Sequence, residues 1–321
     1  MTFKTEIGTD ILRAKQFLDK EEIVAIPTET VYGLAANAFS ENAINKVYVA
    51  KMRPTNNPLI VHVAREEWIY QLATEVNEKA ELLIEKFMPG PLTLLLPKKK
   101  LVPDIVTSGL PDVAIRFPNH PTAKKLLSQL DYPLAAPSAN PFGYISPTTA
   151  QHVYNQMNNK IPFILDGGQC SAGIESTIIG FKNNLPVIYR LGSITLSEIE
   201  AVVGKVIINS NTKDILAPGM LKKHYSPSTP LLLTEEIDEA MKKYNGKNIG
   251  LITYDSYSPL LPDEQQIVLG KSTNLGQVAH NLYAAMHTID AVGYDIIIVK
   301  KLPDEGMGKS INDRLTRASN V

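Results

Sequence analysis

The sequence predicts an α/β chain, with a mixed twisted sheet in a first domain and a small Rossmann-like parallel α/β domain after it. Three observations carry that expectation. Apolar strand candidates and helices with 3.6-residue apolar spacing fill the first two thirds of the chain. Not every strand is followed by a helix, so the pairing is expected to be mixed rather than purely parallel. A stretch over 209–230, holding Pro218-Gly219 and Pro227-Ser228-Thr229-Pro230, breaks the rhythm. Beyond it strands and helices alternate, as in a doubly wound sheet. The expected division is a first domain over 1–208, a linker over 209–230 and a second domain over 231–321.

Each element has a local reason. Ile11, Ala14 and Leu18 share one face of a helix over 10–20, and Ile23-Val24-Ala25-Ile26 is a buried strand. Ser40 is the expected N-cap of a helix over 41–51, Pro54 stops it, and a strand follows over 59–63. A helix over 77–87 ends at Pro89-Gly90-Pro91. Strands over 92–96 and 113–117, a helix over 121–130 and a short strand over 134–136 come next. Ser146-Pro147 is expected to open a helix reaching Met157, with Ser as cap and Pro at the first helical position. Strands over 163–165, 177–181 and 187–189 complete the first domain. In the second, strands are expected over 231–233, 249–253, 266–269 and 295–299, with helices over 237–244, 275–289 and 308–317.

Composition narrows the function classes. At 321 residues and 44% hydrophobic, the chain can bury two cores and does not have the composition of a disordered one. Lys+Arg 32 against Asp+Glu 33 leave a net charge of −1, whereas a protein that grips duplex nucleic acid usually carries a basic excess. The one cysteine, Cys170, excludes an internal disulfide, and no Cys/His spacing suits zinc. No apolar run approaches the ~20 residues that span a bilayer, and the first six residues lack a signal-peptide core. A soluble, cytoplasmic protein without membrane contact is expected.

Polar residues concentrate where strands end. Lys51 and Arg53 sit one residue apart at a helix end, where they suit a solvated helix C-terminus or a phosphate, which Arg meets as a fork and Lys as a point charge. Arg116 lies inside Val113-Ala114-Ile115-Arg116-Phe117 and needs an anion, either a structural carboxylate or a ligand's; Arg190 raises the same question. Pro137-Ser138-Ala139-Asn140 suits close ligand approach or plain turn chemistry. Asp166-Gly167-Gly168 and Glu175-Ser176-Thr177 are two more polar loops, and His62, between Val61 and Val63, reads first as packing. Gly306-Met307-Gly308-Lys309-Ser310 imitates a phosphate-binding loop, but Pro303 stands where that loop requires its first glycine. No His/Asp arrangement makes Cys170 a nucleophile.

Taken in order, Pro27-Thr28-Glu29-Thr30-Val31-Tyr32-Gly33-Leu34, Lys51-Met52-Arg53-Pro54, Asn57-Pro58-Leu59, Pro137-Ser138-Ala139-Asn140 and Ser146-Pro147-Thr148-Thr149 resemble the threonylcarbamoyl-AMP synthases in their long, two-domain form. The likeness spans nearly the whole chain and includes a linker reading Pro218-Gly219-Met220-Leu221-Lys222-Lys223-His224-Tyr225-Ser226-Pro227. It implies a YrdC-like first domain and a nucleotidyltransferase that makes L-threonylcarbamoyladenylate from L-threonine, bicarbonate and ATP, releasing pyrophosphate, with Mg accompanying ATP. The product would serve threonylcarbamoyladenosine formation in tRNA. The tRNA threonylcarbamoyl-transfer machinery is the implied partner, along with a weak RNA contact.

Carried over by position, Thr30, His62, Arg116, Ala136 and Ser176 would hold threonine, with Arg116 on its carboxylate. Lys51, Arg53, Asn57, Asp112, Ser138, Asn140, Ser146, Arg190 and Tyr225 would hold ATP; Lys51 and Arg53 would be catalytic, and Lys51, Arg53 and Arg190 would meet the phosphates. Ser146 at a helix N-terminus would favour an anion. Tyr225 would fold the linker over the nucleotide as a lid. Asp112 departs from the family's more usual Ser or Thr, so a contact there is expected through the backbone, and Gly180 stands where an acidic residue is expected. The C-terminal run Ile311-Asn312-Asp313-Arg314-Leu315 reads as structural. Three other readings compete. A double-stranded RNA-binding module is disfavoured by the neutral charge. A hydrogenase-maturation carbamoyltransferase would need cysteine-rich zinc segments, and a pure scaffold would not need so many polar strand exits.

Overall fold

Six of the described helices begin where a side-chain oxygen satisfies amides that the first turn leaves free. Asp10, Ser40, Asn77, Thr149, Thr195 and Asn274 each accept such a bond. They open the helices Ile11–Asp19, Glu41–Lys51, Glu78–Phe87, Ala150–Met157, Leu196–Val203 and Leu275–Asp290. The computed structural model describes residues 4–209, 216–220 and 224–319; the expected linker positions Asn211, Thr212, Lys213, Asp214, Leu221, Lys222 and Lys223 lie outside them.

One helix starts later than the sequence suggests. Ser146 is not a cap: the helix begins at Ala150, and the Thr149 hydroxyl accepts the His152 amide at 3.2 Å. The Ser146 hydroxyl instead donates to Glu175, and Pro147 offers its carbonyl to the Tyr32 amide. Those long-range bonds outcompete the local Ser-Pro start signal, so Ser146 has no helix N-terminus to lend to an anion.

Fifteen strands are described: β1 (Glu6–Gly8), β2 (Val24–Ile26), β3 (Gly33–Asn37), β4 (Ile60–His62), β5 (Leu92–Pro97), β6 (Asp112–Arg116), β7 (Leu134–Ala135), β8 (Phe163–Leu165), β9 (Thr177–Lys182), β10 (Leu185–Arg190), β11 (Ile207–Ile208), β12 (Leu231–Thr234), β13 (Ile249–Thr253), β14 (Gln266–Val268) and β15 (Ile296–Lys300). The first eleven form one sheet in the order β1, β8, β2, β3, β7, β4, β6, β5, β9, β10, β11. Its pairing is mixed: β4 with β6 and β5 with β9 are parallel, while β2 with β3 and β5 with β6 are antiparallel. The last four form an all-parallel sheet in the order β12, β15, β13, β14. Both sheets match the expected fold class.

The large sheet is covered on both faces over much of its width, which is why its strands read as continuous apolar runs. Leu34, Val47, Leu59, Leu83 and Leu94 fill one layer; Leu18, Val24, Ile26, Leu126 and Phe163 fill another. A further patch of strand residues, Ile60, Leu95, Ala114 and Ile178, is packed by Ala217 and Met220 of the linker. The second domain is not walled off. Its core, around Leu282, Met286, Ile297 and Ile311, also takes in Val31, Ile145, Ile174 and Tyr225. The false phosphate-loop signal has a packing cause. A Cβ on Gly308 would lie 2.1 Å from the Pro303 carbonyl oxygen, so this glycine lets the last helix begin directly beneath the preceding turn.

Candidate active site

The site is assembled from strand ends. After β2 the chain turns, and the Thr28 hydroxyl holds that turn by donating to the Val31 carbonyl at 2.6 Å while accepting the Thr30 and Val31 amides. This aims the Thr30 hydroxyl at β6, where Arg116 Nη1 donates to it at 2.7 Å. Parallel register sets His62 of β4 beside Arg116. At the end of Glu41–Lys51, Met52 takes a left-handed φ of +53°, which turns the chain so that both neighbouring cations point inward.

The cations are buried and largely unpaired with carboxylates. Lys51, 1% exposed, donates to the carbonyls of Ser138, at 2.6 Å, and Asn140. Arg53 donates to the Asn57 carbonyl at 3.0 Å, to the Asn57 side chain and to the Pro58 carbonyl at 2.8 Å. Arg190 donates to the Ser176 carbonyl at 2.9 and 3.1 Å, to the Ser176 hydroxyl at 3.0 Å and to the Pro218 carbonyl at 3.3 Å. Among the described residues the buried Lys and Arg side chains are Lys51, Arg53, Arg116, Arg190 and Arg314, and the buried carboxylates are Glu29 and Glu175; with half-buried Asp313 beside Arg314, five cations face three anions. An unbalanced buried cluster of this kind is matched by a polyanionic ligand. Burial, with Arg53 beside it, pushes the Lys51 ammonium well below its ordinary range. Burial, then Arg53, Lys51 and Arg190, holds His224 neutral in the same way. His62 is pushed down to about 3 by burial and by Arg116, so it faces the site as a neutral imidazole.

The anion that Arg116 required is Glu29, with Nη2 2.8 Å from Oε1. The charges touch, yet neither Nη2 nor Nε of Arg116 has an aligned hydrogen-bond acceptor, and both Glu29 oxygens lack a donor. The guanidinium therefore keeps donor capacity, and Arg116 lines the cavity. Glu175 is the second buried carboxylate. Its burial favours the neutral acid, but Arg314 and Arg190, with the Ser146 hydroxyl, outweigh that and hold it ionised.

Of the expected residues, Thr30, Arg53, His62, Arg116, Ala136, Ser138, Arg190 and Tyr225 line one cavity. Lys51, Asn57, Asn140, Ser146 and Ser176 stand behind its wall, bonded to lining groups or, for Asn140, offering a carbonyl to Lys51. Asp112 stands apart. It lines a separate space of about 230 Å³ with Asn77, Phe181 and Tyr189. Four residues along a strand from Arg116 put it ~13 Å away, at the other end of β6. The sequence reading missed Glu29 and Glu175 as anions, although both lie inside segments singled out there, and it missed His224, Tyr283 and Arg314.

The cavity is nearly filled. It has about 50 Å³ of open room, against ~300–1,000 Å³ for a typical ligand pocket. Pro218, Gly219, His224 and Tyr225 of the linker help to close it. Gly219 has φ +85°, and a Cβ there would lie 2.8 Å from both Arg190 Cδ and the Tyr225 hydroxyl. Gly219→Ala is therefore expected to prevent this closed packing, raising the KM for a nucleotide about tenfold with little change in melting temperature. Steady-state kinetics beside a thermal melt checks it, and an unchanged KM would refute the close packing as functional.

Comparison with known proteins identifies the family. A family described as "Telomere recombination" matches residues 16–192, and "Threonylcarbamoyl-AMP synthase, C-terminal domain" matches residues 194–320. The threonylcarbamoyl-AMP synthase of Pyrococcus abyssi is 40% identical, with 95% of this chain and 93% of the relative covered. That of Bacillus subtilis is 39% identical, over 96% of this chain and 92% of the relative. A Pyrococcus abyssi crystal structure complexed with L-threonine superposes with a TM-score of 0.91 at 38% identity, covering 99% of this chain and 98% of that one. Likeness of this length takes in both the strand-exit cavity and the domain that closes on it, and it makes this chain an enzyme of the threonylcarbamoyl-AMP synthase family.

Proposed function

We propose that the cavity joins L-threonine, bicarbonate and ATP into L-threonylcarbamoyladenylate and releases pyrophosphate, as a nucleotidyltransferase. The observation that carries this reading is the excess of buried cations around one cavity, with a guanidinium beside Thr30 that keeps free donors. Arg116 and Thr30 would receive the threonine carboxylate, beside neutral His62, Ala136 and Ser176. The threonine amine adds to CO2 from bicarbonate and loses a proton, giving N-carboxythreonine. A carbamate oxygen then attacks the α-phosphorus of ATP, the bond to the β-phosphate oxygen breaks, and pyrophosphate leaves. Lys51, Arg53 and Arg190 would neutralise charge gathering on the phosphates, with Asn57, Ser138, Asn140 and Ser146 supporting the nucleotide side, so the protein contributes mainly position and field. Asp112 is left out of this assignment, because it lines a separate space at the other end of β6.

Among the described residues no group of three His, Cys, Asp or Glu could hold a metal, and Glu29 and Glu175 are engaged by arginines. We assign Mg to the triphosphate, where it would neutralise charge between phosphates. Tyr225 and the linker would act as a lid that excludes water. The product's fate would be tRNA threonylcarbamoylation by other proteins in the cytoplasm. Among the described residues no helix is long and apolar enough to cross a membrane.

Pyrophosphate release, with L-threonine and bicarbonate omitted in turn and the adenylate sought by mass spectrometry, tests the reading. Release that needs both is expected; release indifferent to threonine would overturn it. Proton linkage gives a second test. Lys51 is depressed in the free protein, and a polyanion beside it raises its pKa again. The complex then holds more protons than its free components in the window between those two values, whose lower edge lies well below lysine's ordinary 10.5. ATP binding is expected to take up protons there, and affinity to fall as pH rises through the window. Titration calorimetry in buffers of different ionisation enthalpy measures this uptake, and a buffer-independent heat would exclude it.

A further inference from the structure

The C-terminal helix Gly306–Ser319 was expected to be structural, yet it sends its central arginine out of its own domain. Arg314 is completely buried. Its Nε donates to Glu175 Oε2 at 2.8 Å, its Nη2 donates to the Leu191 carbonyl at 2.6 Å, and its Nη1 pairs with Asp313 at 2.8 Å. The guanidinium carbon lies 5.3 Å from the centre of the Tyr225 ring. Tyr283, from Leu275–Asp290 and also completely buried, donates to the same Glu175 carboxylate at 3.0–3.1 Å and stacks on Tyr225 with ring centres 6.0 Å apart.

We propose that the second domain completes the cavity: Arg314 and Tyr283 are positioning residues that seat Tyr225 over it and keep Glu175 from drawing Arg190 away. This rests on the proposed reading of Arg190 and Tyr225 as nucleotide-side groups. Two arguments support it. Glu175 lines the cavity and is close enough to Arg190 for the two charges to influence each other, yet Arg190 donates only to Ser176 and Pro218. A buried carboxylate without another cation would recruit the nearest guanidinium. Arg314 fills that requirement from outside the first domain and leaves Arg190 facing the cavity. The second argument is conformational. Tyr225 has φ +64°, a left-handed backbone that is unfavourable for an L-residue. Such a conformation persists only where its surroundings hold it. Here the holding groups are the Arg314 face, the Tyr283 ring and the His224 ring, the last at 4.1 Å.

The test uses the full-length chain carrying Arg314→Lys or Tyr283→Phe. Lys keeps the charge but loses the fork and the flat face; Phe keeps the ring and loses one donor, so it guards against a folding failure of the first variant. The Ser226 amide, bonded to the Gly143 carbonyl at 2.8 Å, reports lid seating by hydrogen exchange without any turnover. In ligand-free protein, Arg314→Lys is expected to speed exchange at Ser226 about tenfold and Tyr283→Phe about threefold, with β2 unchanged. In kinetics, kcat/KM for ATP should fall about thirtyfold in Arg314→Lys, while the KM for L-threonine stays within about twofold. Unchanged exchange at Ser226 in both variants overturns the proposal. So does an acceleration shared by the whole second domain with equal losses for both substrates, which is what a merely structural arginine would give. A wild-type protein that releases no pyrophosphate would overturn the proposed reaction, and the exchange measurement would still decide whether these residues seat the lid.

Discussion

Lys51→Met is expected to lower turnover with ATP about a thousandfold, with L-threonine binding nearly unchanged. Lys51 is the cation least provided for by the free protein. It is buried, it touches two carbonyl oxygens and no carboxylate, and its ammonium is destabilised by burial and by Arg53. A phosphate oxygen is the partner that would repay this arrangement at the moment when charge shifts onto pyrophosphate. Methionine keeps most of the stem's volume and removes only the charge and its donors. The lost carbonyl bonds and the relieved desolvation act on stability in opposite senses, so melting temperature is expected to move far less than rate. Steady-state kinetics with calorimetric titration of L-threonine separates the two effects. Turnover within tenfold of the parent would remove Lys51 from the chemistry.

Arg116→Lys is expected to weaken L-threonine binding about a hundredfold while changing ATP binding by less than about threefold. Lysine still balances Glu29, 2.8 Å away in the parent, so the substitution does not strand a buried carboxylate as alanine would. What it removes is the fork. Nη1 holds the Thr30 hydroxyl, Nη2 touches Glu29, and Nε has no aligned acceptor, so one guanidinium can orient Thr30 and still present donors to a second carboxylate. Calorimetric titration of L-threonine measures the loss, and an unchanged affinity would place the amino acid elsewhere.

The fold was legible where apolar periodicity and punctuation agreed. Ser40 capping Glu41–Lys51 and the run that became β13 fell where local signals put them. β3 was not legible, because Gly33-Leu34-Ala35-Ala36-Asn37 has little intrinsic strand preference and is extended by pairing with β2 and β7. The late start of Ala150–Met157 has the same kind of cause, since Ser146 and Pro147 are claimed by Glu175 and Tyr32. The cations of the site could be read because an arginine inside an apolar strand demands an explanation. Their anions could not, because Glu29 and Glu175 sit in polar loops where a carboxylate is unremarked. Arg314 was hidden for a different reason. At a spacing that suits a surface helix it looks ordinary, and only the packing of one domain against the other shows that it is buried.

The near-absence of room in the cavity bears on how affinity would be measured. Tyr225 is joined to the first sheet through β11 and to the second through β12, so it cannot diffuse away from the pocket it helps to fill. A side chain held on such a tether acts as an intramolecular competitor at an effective concentration in the millimolar range. Any nucleotide must displace it before binding, and the observed dissociation constant is the intrinsic one divided by the fraction of molecules that are open. A variant that unseats Tyr225 would then relieve this competition and lose the lid's contact together, so its affinity for ATP in a static titration would change far less than its rate in turnover.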